Sequence, residues 1–283
     1  MSAKPLKPSS IDVSKLDFGE LRSLGDHAKA VYVNFNKSII HLQSPELEIL
    51  FDSGRIFEDQ KRENSGKFSV RVSLKDFDKE GSSTKAFHDM MVQMDEVLKE
   101  AAKKNSLAWF KKKNISDDVM DEIYNEMIKV SKDQETGEPN GKFPPSFTFK
   151  VIKRDGEVLC KCFDGSAEGN PVLNINDPEG DDYRPIESLL NKKTKVKMLL
   201  QCNGIWIVGG KFGCTWKAVQ MRVTPAPGFE DYAFLDDSDN EEDVSKIEEN
   251  FVQSDDDEKT DEEEEEVVKK AAPKKVRKAK RAA

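Results

Sequence analysis

The most tightly patterned stretch of the chain runs from Lys195 to Val223, and it narrows the class of fold more than any other feature. Val196, Met198 and Leu200 alternate with Lys195, Lys197 and Gln201. Asn203-Gly204 follows, Ile205 to Val208 resumes the apolar run, Gly209-Gly210 interrupts it, and Cys214 to Val223 closes it. A period of two marks strands with one buried and one wet face. Asn-Gly and Gly-Gly accept the positive φ of two-residue hairpin turns. The pattern therefore predicts three consecutive strands with turns at 203–204 and 209–210.

The same alternation appears earlier, in Val31, Val33 and Phe35, in Phe68, Val70, Val72 and Leu74, and in Phe147, Phe149 and Val151. Asn36-Lys37 and Asp155-Gly156 read as turns, and Cys160 and Cys162 continue on the strand after the second. Between these runs the period changes. Phe87, Met90, Met91, Met94, Val97 and Leu98 recur at helical spacing, with Ser82 or Ser83 as the cap. A second helix is expected after Ser116, with Met120, Ile123, Tyr124, Met127 and Ile128 as its stripe. The expected fold is mainly β with a helical insertion near 83–132 (α+β): about seven to nine short strands in a small barrel or sandwich, the oligonucleotide-binding barrel being one member of that class.

Charge divides the chain further. Residues 230–268 hold 20 acidic side chains against Lys246 and Lys259, whereas 269–283 hold eight basic ones and no acid. The remainder is close to neutral, so the net charge of −9 belongs to the tail. A segment so charged and so poor in apolar residues cannot offset its ordering entropy, and 230–268 is expected to be disordered. The reading is then an arm at 1–27, a folded domain at 28–229, an acidic tail at 230–268 and a basic end at 269–283. The tail suits contact with basic partners, or competition with nucleic acid for a basic groove. Lys274 to Arg281 reads either as a nuclear import signal or as a nucleic-acid arm.

No catalytic motif stands out. His27, His41 and His88 are scattered, and Gly209 to Gly213 lacks the helix that a phosphate loop requires. Cys160, Cys162, Cys202 and Cys214 read as small core residues rather than a disulfide framework or a metal site. No enzyme activity, cofactor or metal is expected. Nor does the sequence contain a signal-like or membrane-spanning apolar run, and an intracellular location is expected. Monomer and homo-oligomer stay open.

If the apolar alternates point inward, strand parity gives the wet face. With Val219, Met221 and Val223 inside, Trp216 and Arg222 are expected outside. By the same parity Lys195, Lys197, Lys150, Lys161, Phe163, Tyr32 and Arg71 face out. Rings that stack on bases among cations that follow phosphates are what single-strand binders use. The bland alternative is an ordinary solvated sheet face. Trp109-Phe110-Lys111-Lys112-Lys113 has two readings of the same kind, a nucleic-acid contact or, more commonly, aromatics that pin helices to a sheet.

The block Gly210-Lys-Phe-Gly-Cys-Thr-Trp-Lys-Ala-Val-Gln-Met-Arg-Val223, followed by an acidic tail, resembles the single-stranded DNA-binding proteins of nucleocytoplasmic large DNA viruses, in the group related to the replication protein of short-tailed phages. The likeness spans about residues 28–251 and is specific only from Lys211 to Val223. It implies an elaborated oligonucleotide-binding barrel that coats single-stranded DNA during viral replication, in the host nucleus or at a cytoplasmic replication site. Its acidic tail would contact replication proteins and moderate binding. Lys211, Phe212, Trp216, Lys217 and Arg222 are the binding residues that the likeness implies. Where the phage proteins end in acids and an aromatic, this chain has a basic, alanine-rich end. The competing expectation is an acidic interaction protein of the histone-chaperone kind, with the tail as the active part.

Overall fold

The computed structural model describes residues 4–25, 27–52 and 67–226, with Lys67 described by its backbone alone. Contacts divide the chain into Met1–Gly228 and Phe229–Ala283. The expectations for the acidic tail and the basic end concern the second unit and lie outside the described residues.

Among the described residues twelve strands and four α-helices follow in chain order: β1 (Leu16–Ser23), β2 (Ala28–Phe35), β3 (Ser38–Ile39), β4 (His41–Ile49), β5 (Lys67–Ser73), α1 (Ser83–Lys104), α2 (Ser106–Phe110), α3 (Asp117–Ile123), β6 (Tyr124–Asn125), β7 (Ile128–Lys129), β8 (Ser146–Arg154), β9 (Glu157–Val158), β10 (Lys161–Asp164), α4 (Ile186–Leu189), β11 (Lys195–Val208) and β12 (Lys211–Thr224). The molecule is thus mostly β sheet with few helices.

Its spine is the β11–β12 hairpin, paired from Lys195↔Thr224 to Val208↔Lys211. Gly209 and Gly210, at φ 60° and 87°, form its turn. The free edge of β11 takes β4 along its first half and β2 along its second. β12 takes β6, then β8, then β10, all parallel to it. Because β4 pairs with β5 and β5 with β8, the pairings β11–β4–β5–β8–β12–β11 close on themselves. Within that cycle β8–β12 is the parallel contact and the other pairs are antiparallel.

The core lies inside this cycle. Leu42, Ile49, Phe68, Val72, Phe147, Phe149, Val196, Leu200 and Met221 are buried there with Phe87, Met91, Met94 and Leu98 of α1. Ser82 caps α1, its Oγ accepting from Lys85 N at 2.9 Å, and Phe87 meets Phe147 edge-on at 5.2 Å. All four cysteines are free and buried, in line with their reading as core residues.

Three sequence expectations change. The N-terminal segment is not a plain arm. Leu6 bridges to Leu42, and β1 pairs with β2 along its length. The second helix stops at Ile123 instead of continuing past Ile128. Tyr124–Asn125 pair with β12 and Ile128–Lys129 with β8, while Met127 N donates to buried Asp95 at 3.1 Å. Tertiary partners outweigh a helical stripe of only seven residues. Lastly, Asn203-Gly204 is no hairpin turn. β11 runs through it, and the register with β12 slips between Cys202 and Gly204. Gly204, at φ +89°, lies so close to β2 that a Cβ there would sit 2.4 Å from Val31 O. This is a glycine bulge where β4 gives way to β2.

Candidate nucleic-acid interface

Two bulges in the β11–β12 hairpin decide which of its side chains reach the surface. Besides the one at Asn203-Gly204, β12 carries Val219 as an extra residue, since Leu199 pairs with Gln220 and Leu200 with Ala218. Each insertion reverses the inward phase of its strand. Met221 and Val223 are buried, but before the bulge the buried set is Phe212, Cys214, Trp216 and Ala218.

The outward placement of Trp216 is therefore overturned. It is 1% exposed, and its Nε1 donates to Met127 Sδ at 3.1 Å. Phe212 is likewise interior, 4.8 Å from Tyr124 and 5.3 Å from Phe110. Neither presents a ring to a ligand. Trp109 is also buried, and Lys29 Nζ donates to its carbonyl at 2.9 Å. The Trp109-Phe110 pair thus pins α2 to the sheet, while Lys111, Lys112 and Lys113 are exposed.

The other sequence-derived candidates share the outer side of β11, β12 and their neighbours. At one end Glu46 (β4), Lys197 (β11), Arg222 (β12) and Phe163 (β10) stand in one row. Arg222 Nη2 donates to Glu46 Oε2 at 3.0 Å, and Arg222 Nε has no partner among the described residues. In the adjacent row Lys195 stands between Glu48 and Thr224. These cations are interleaved with carboxylates. Lys161, two residues from Phe163 on β10, holds its ammonium 5.6 Å from that ring.

The middle of the hairpin differs. Here His41 (β4), Gln201 (β11), Lys217 (β12), Lys150 (β8) and Ser69 (β5) form a row. It crosses five strands, about 19 Å at the usual interstrand spacing. All five side chains are half-buried, and the row contains no acid. Arg71, exposed on β5 two residues from Ser69, has its guanidinium 6.0 Å from the Phe51 ring. His41 Nδ1 has no hydrogen-bond partner among the described residues.

At the turn end Lys211 is exposed, and Tyr32 of β2 is 44% exposed beneath the Arg22 guanidinium at 4.7 Å. One outward aromatic there escaped the parity argument. Trp206 is half-buried between buried Ile205 and Ile207, in register with Ala30 and Gly213. A bulge at Asn203-Gly204, in place of a turn, was the signal that would have exposed it.

Between α1 and the segment from Tyr124 to Met127 lies a buried polar cluster. Asp95 of α1 accepts from the Tyr124 hydroxyl and from Met127 N. Burial pushes its carboxyl up to about 7, against the opposing pull of those two hydrogen bonds. Burial and the neighbouring Asp95 push the Tyr124 phenol upward as well.

Neither a family model nor a curated protein matches the chain. Among solved structures it is similar to the single-stranded DNA-binding protein of bacteriophage Enc34 in complex with single-stranded DNA, at 7% identity and a TM-score of 0.34, over 75% of this chain and 97% of that one. A C-terminal truncation of the Enc34 protein gives 6% and 0.35, over 76% and 98%. The single-stranded DNA-binding protein gp2.5 of bacteriophage T7 gives 15% and 0.35, over 69% and 97%. These likenesses are distant, and all three neighbours are phage proteins; none speaks for the large DNA viruses.

Proposed function

We propose that the protein binds single-stranded DNA with little sequence preference, along the outer face of β5, β8, β12 and β11. The observation that carries this reading is the row through Lys217 and Lys150. The two ammonium groups stand on adjacent strands of one face, where a phosphate backbone crossing the sheet can meet both. The flanking Arg71, Lys161 and Lys211 extend the cationic surface, and half-exposed rings accompany it, the combination by which single strands are held. Connectivity supports the same reading. A five-strand cycle with one parallel closing pair is that of an oligonucleotide-binding barrel, whose second and third strands and four–five loop face the ligand. Here those parts are β5 with Arg71, β8 with Lys150, and the Gly209-Gly210 turn beside Lys211.

On this reading the protein coats unwound DNA during replication, recombination or repair. The proposed setting, which rests on the resemblance of Lys211 to Val223 alone, is a large DNA virus, in the host nucleus or at a cytoplasmic replication site. The acidic segment 230–268 moderates binding as a competing polyanion and contacts replication partners. Its composition also favours a second reading, an acidic protein that binds basic partners while the sheet serves only as a platform. Histone binding unaffected by Lys150→Ala and Lys217→Ala would favour that alternative.

Titration of a labelled oligonucleotide at several salt concentrations tests the proposal. Affinity should fall linearly with salt on a logarithmic plot, and single strands should outcompete duplex. Equal affinity for duplex, or no binding at low salt, would defeat it. Deleting residues 230–268 should tighten binding; an unchanged affinity would remove the tail from the mechanism.

A further inference from the structure

We infer that Trp206 and Tyr32 form a base-stacking subsite at the turn end of the interface, where β2, outside the closed five-strand cycle, pairs with the second half of β11. The inference rests on the single-strand reading and adds to it a contact with the bases rather than the phosphates.

The geometry begins with Trp206 and its cross-strand neighbours, which are the two smallest residues, Ala30 on β2 and Gly213 on β12. A Cβ built at Gly213 would lie 3.0 Å from Trp206 Cζ2 and 2.9 Å from Asn125 O. The indole therefore lies across β12 in the space a side chain at 213 would fill. A ring laid flat on a sheet has one face covered and the other turned outward, which fits its half-buried state. Tyr32 follows Ala30 by two residues on the same face, diagonal to Trp206, at the separation of about 7 to 8 Å from which aromatic side chains meet. Gly204 allows this approach, since a Cβ there would stand 3.1 Å from Tyr32 Cα. Arg22, over one face of the Tyr32 ring, supplies a cation at that end of the subsite.

Position along the hairpin connects this pair with the lysine row. Gly213 precedes Lys217 by four residues of the same strand, about 13 Å. A strand whose phosphates meet Lys217 and Lys150 thus reaches the rings without leaving the face. A purely architectural role is the competing explanation, because an aromatic laid across a glycine also stabilises a sheet. The test must therefore separate bases from backbone.

The full chain is titrated with oligothymidylate and with an abasic strand of equal length, which has the same phosphates and no bases. The wild type should prefer the thymidylate by about tenfold or more, as stacking on aromatic side chains provides. Trp206→Ala should cut that preference about tenfold while leaving abasic affinity and the salt slope unchanged, and Trp206→Phe should retain most of it. Trp109 and Trp216 are interior, so Trp206 is also the natural fluorescent reporter. Thymidylate should quench the wild type and not Trp206→Phe. Tyr32→Ala, at an exposed position, provides a second variant should Trp206→Ala fail to fold, and should lower the same ratio. Equal wild-type affinity for both strands, or a ratio untouched in Trp206→Ala and Tyr32→Ala, would overturn the subsite alone. Failure of both strands to bind would overturn it together with the single-strand reading.

Discussion

The β11–β12 hairpin carries outward cations at its open end and in its middle, but it gives them opposite neighbours. At the open end Glu48 stands across from Lys195, and Glu46 stands across from Lys197 and bonds Arg222 at 3.0 Å. In the middle Lys217 is in register with Lys150, and the row beyond them is Gln201, His41 and Ser69. The first arrangement satisfies itself: exposed pairs of this kind contribute roughly 0 to 1 kcal/mol and need no ligand. The second sets Lys217 next to Lys150 in a row that contains no carboxylate of its own. Lysine content therefore does not locate an interface. What separates the two stretches is the cross-strand partner, and the partner depends on register.

The largest expected effect sharpens the separation between the two sides of this hairpin. Trp216 lies in the core one residue from the outward Lys217. Trp216→Ala should destabilise the fold by about 3 to 5 kcal/mol, read by denaturant unfolding. A loss of DNA affinity at unchanged stability would return Trp216 to the surface.

The buried Asp95 cluster gives the next effect. The Asp95 carboxyl is raised to about 7 by burial, so the folded state holds its proton where the unfolded chain has lost it. The stability this contributes is complete below the ordinary carboxylate range and is lost as pH rises through about 7. Asp95→Asn removes the dependence. The wild type should lose on the order of a few kcal/mol relative to that variant between pH 4 and 8. Parallel stability curves would show that Asp95 titrates as an ordinary surface carboxylate.

The comparison itself is tested by charge removal. Lys150→Ala with Lys217→Ala should flatten the logarithmic salt dependence of single-strand binding by about 1.4, the share of two phosphate contacts. Lys195→Ala with Lys197→Ala should change it by less than half as much. Equal effects would erase the distinction between the two stretches. The smallest effect is expected from Glu46→Gln. Freeing Arg222 should tighten binding by a small factor, with stability changing by no more than about 0.5 kcal/mol; weaker binding would mean that Glu46 holds Arg222 in its working position.

Much of this architecture was legible in the alternation of single strands. The buried sets of β2, β5 and β8, the Ser82 cap, and the glycine turn at 209–210 follow from residue type and local spacing. The surface was legible only in part. Arg71, Lys150, Lys161, Phe163, Lys195, Lys197, Lys211, Lys217 and Arg222 emerge outward or half-exposed, whereas Phe212 and Trp216 do not. For Trp216 the cause is a constant period carried through Val219, where β12 takes in an extra residue; Phe212 was expected at the surface from the family likeness alone. Trp206 was hidden by the turn expected at Asn203-Gly204, which split β11 and left Ile205 to Val208 as an apolar run of its own. The shortened α3 has a different origin, since Tyr124 and Met127 answer to Asp95, far away in sequence.

By itself the sequence determined what is local: which segments alternate, where glycine permits a tight turn, where α1 begins, and how charge is divided between 1–229 and the tail. Only the tertiary structure decided phase and partnership. A bulge costs one residue and leaves composition unchanged, yet it exchanges the inner and outer faces of everything beyond it. Whether a lysine meets a glutamate or another lysine is fixed by strand register, a contact between residues dozens of positions apart that no local pattern encodes.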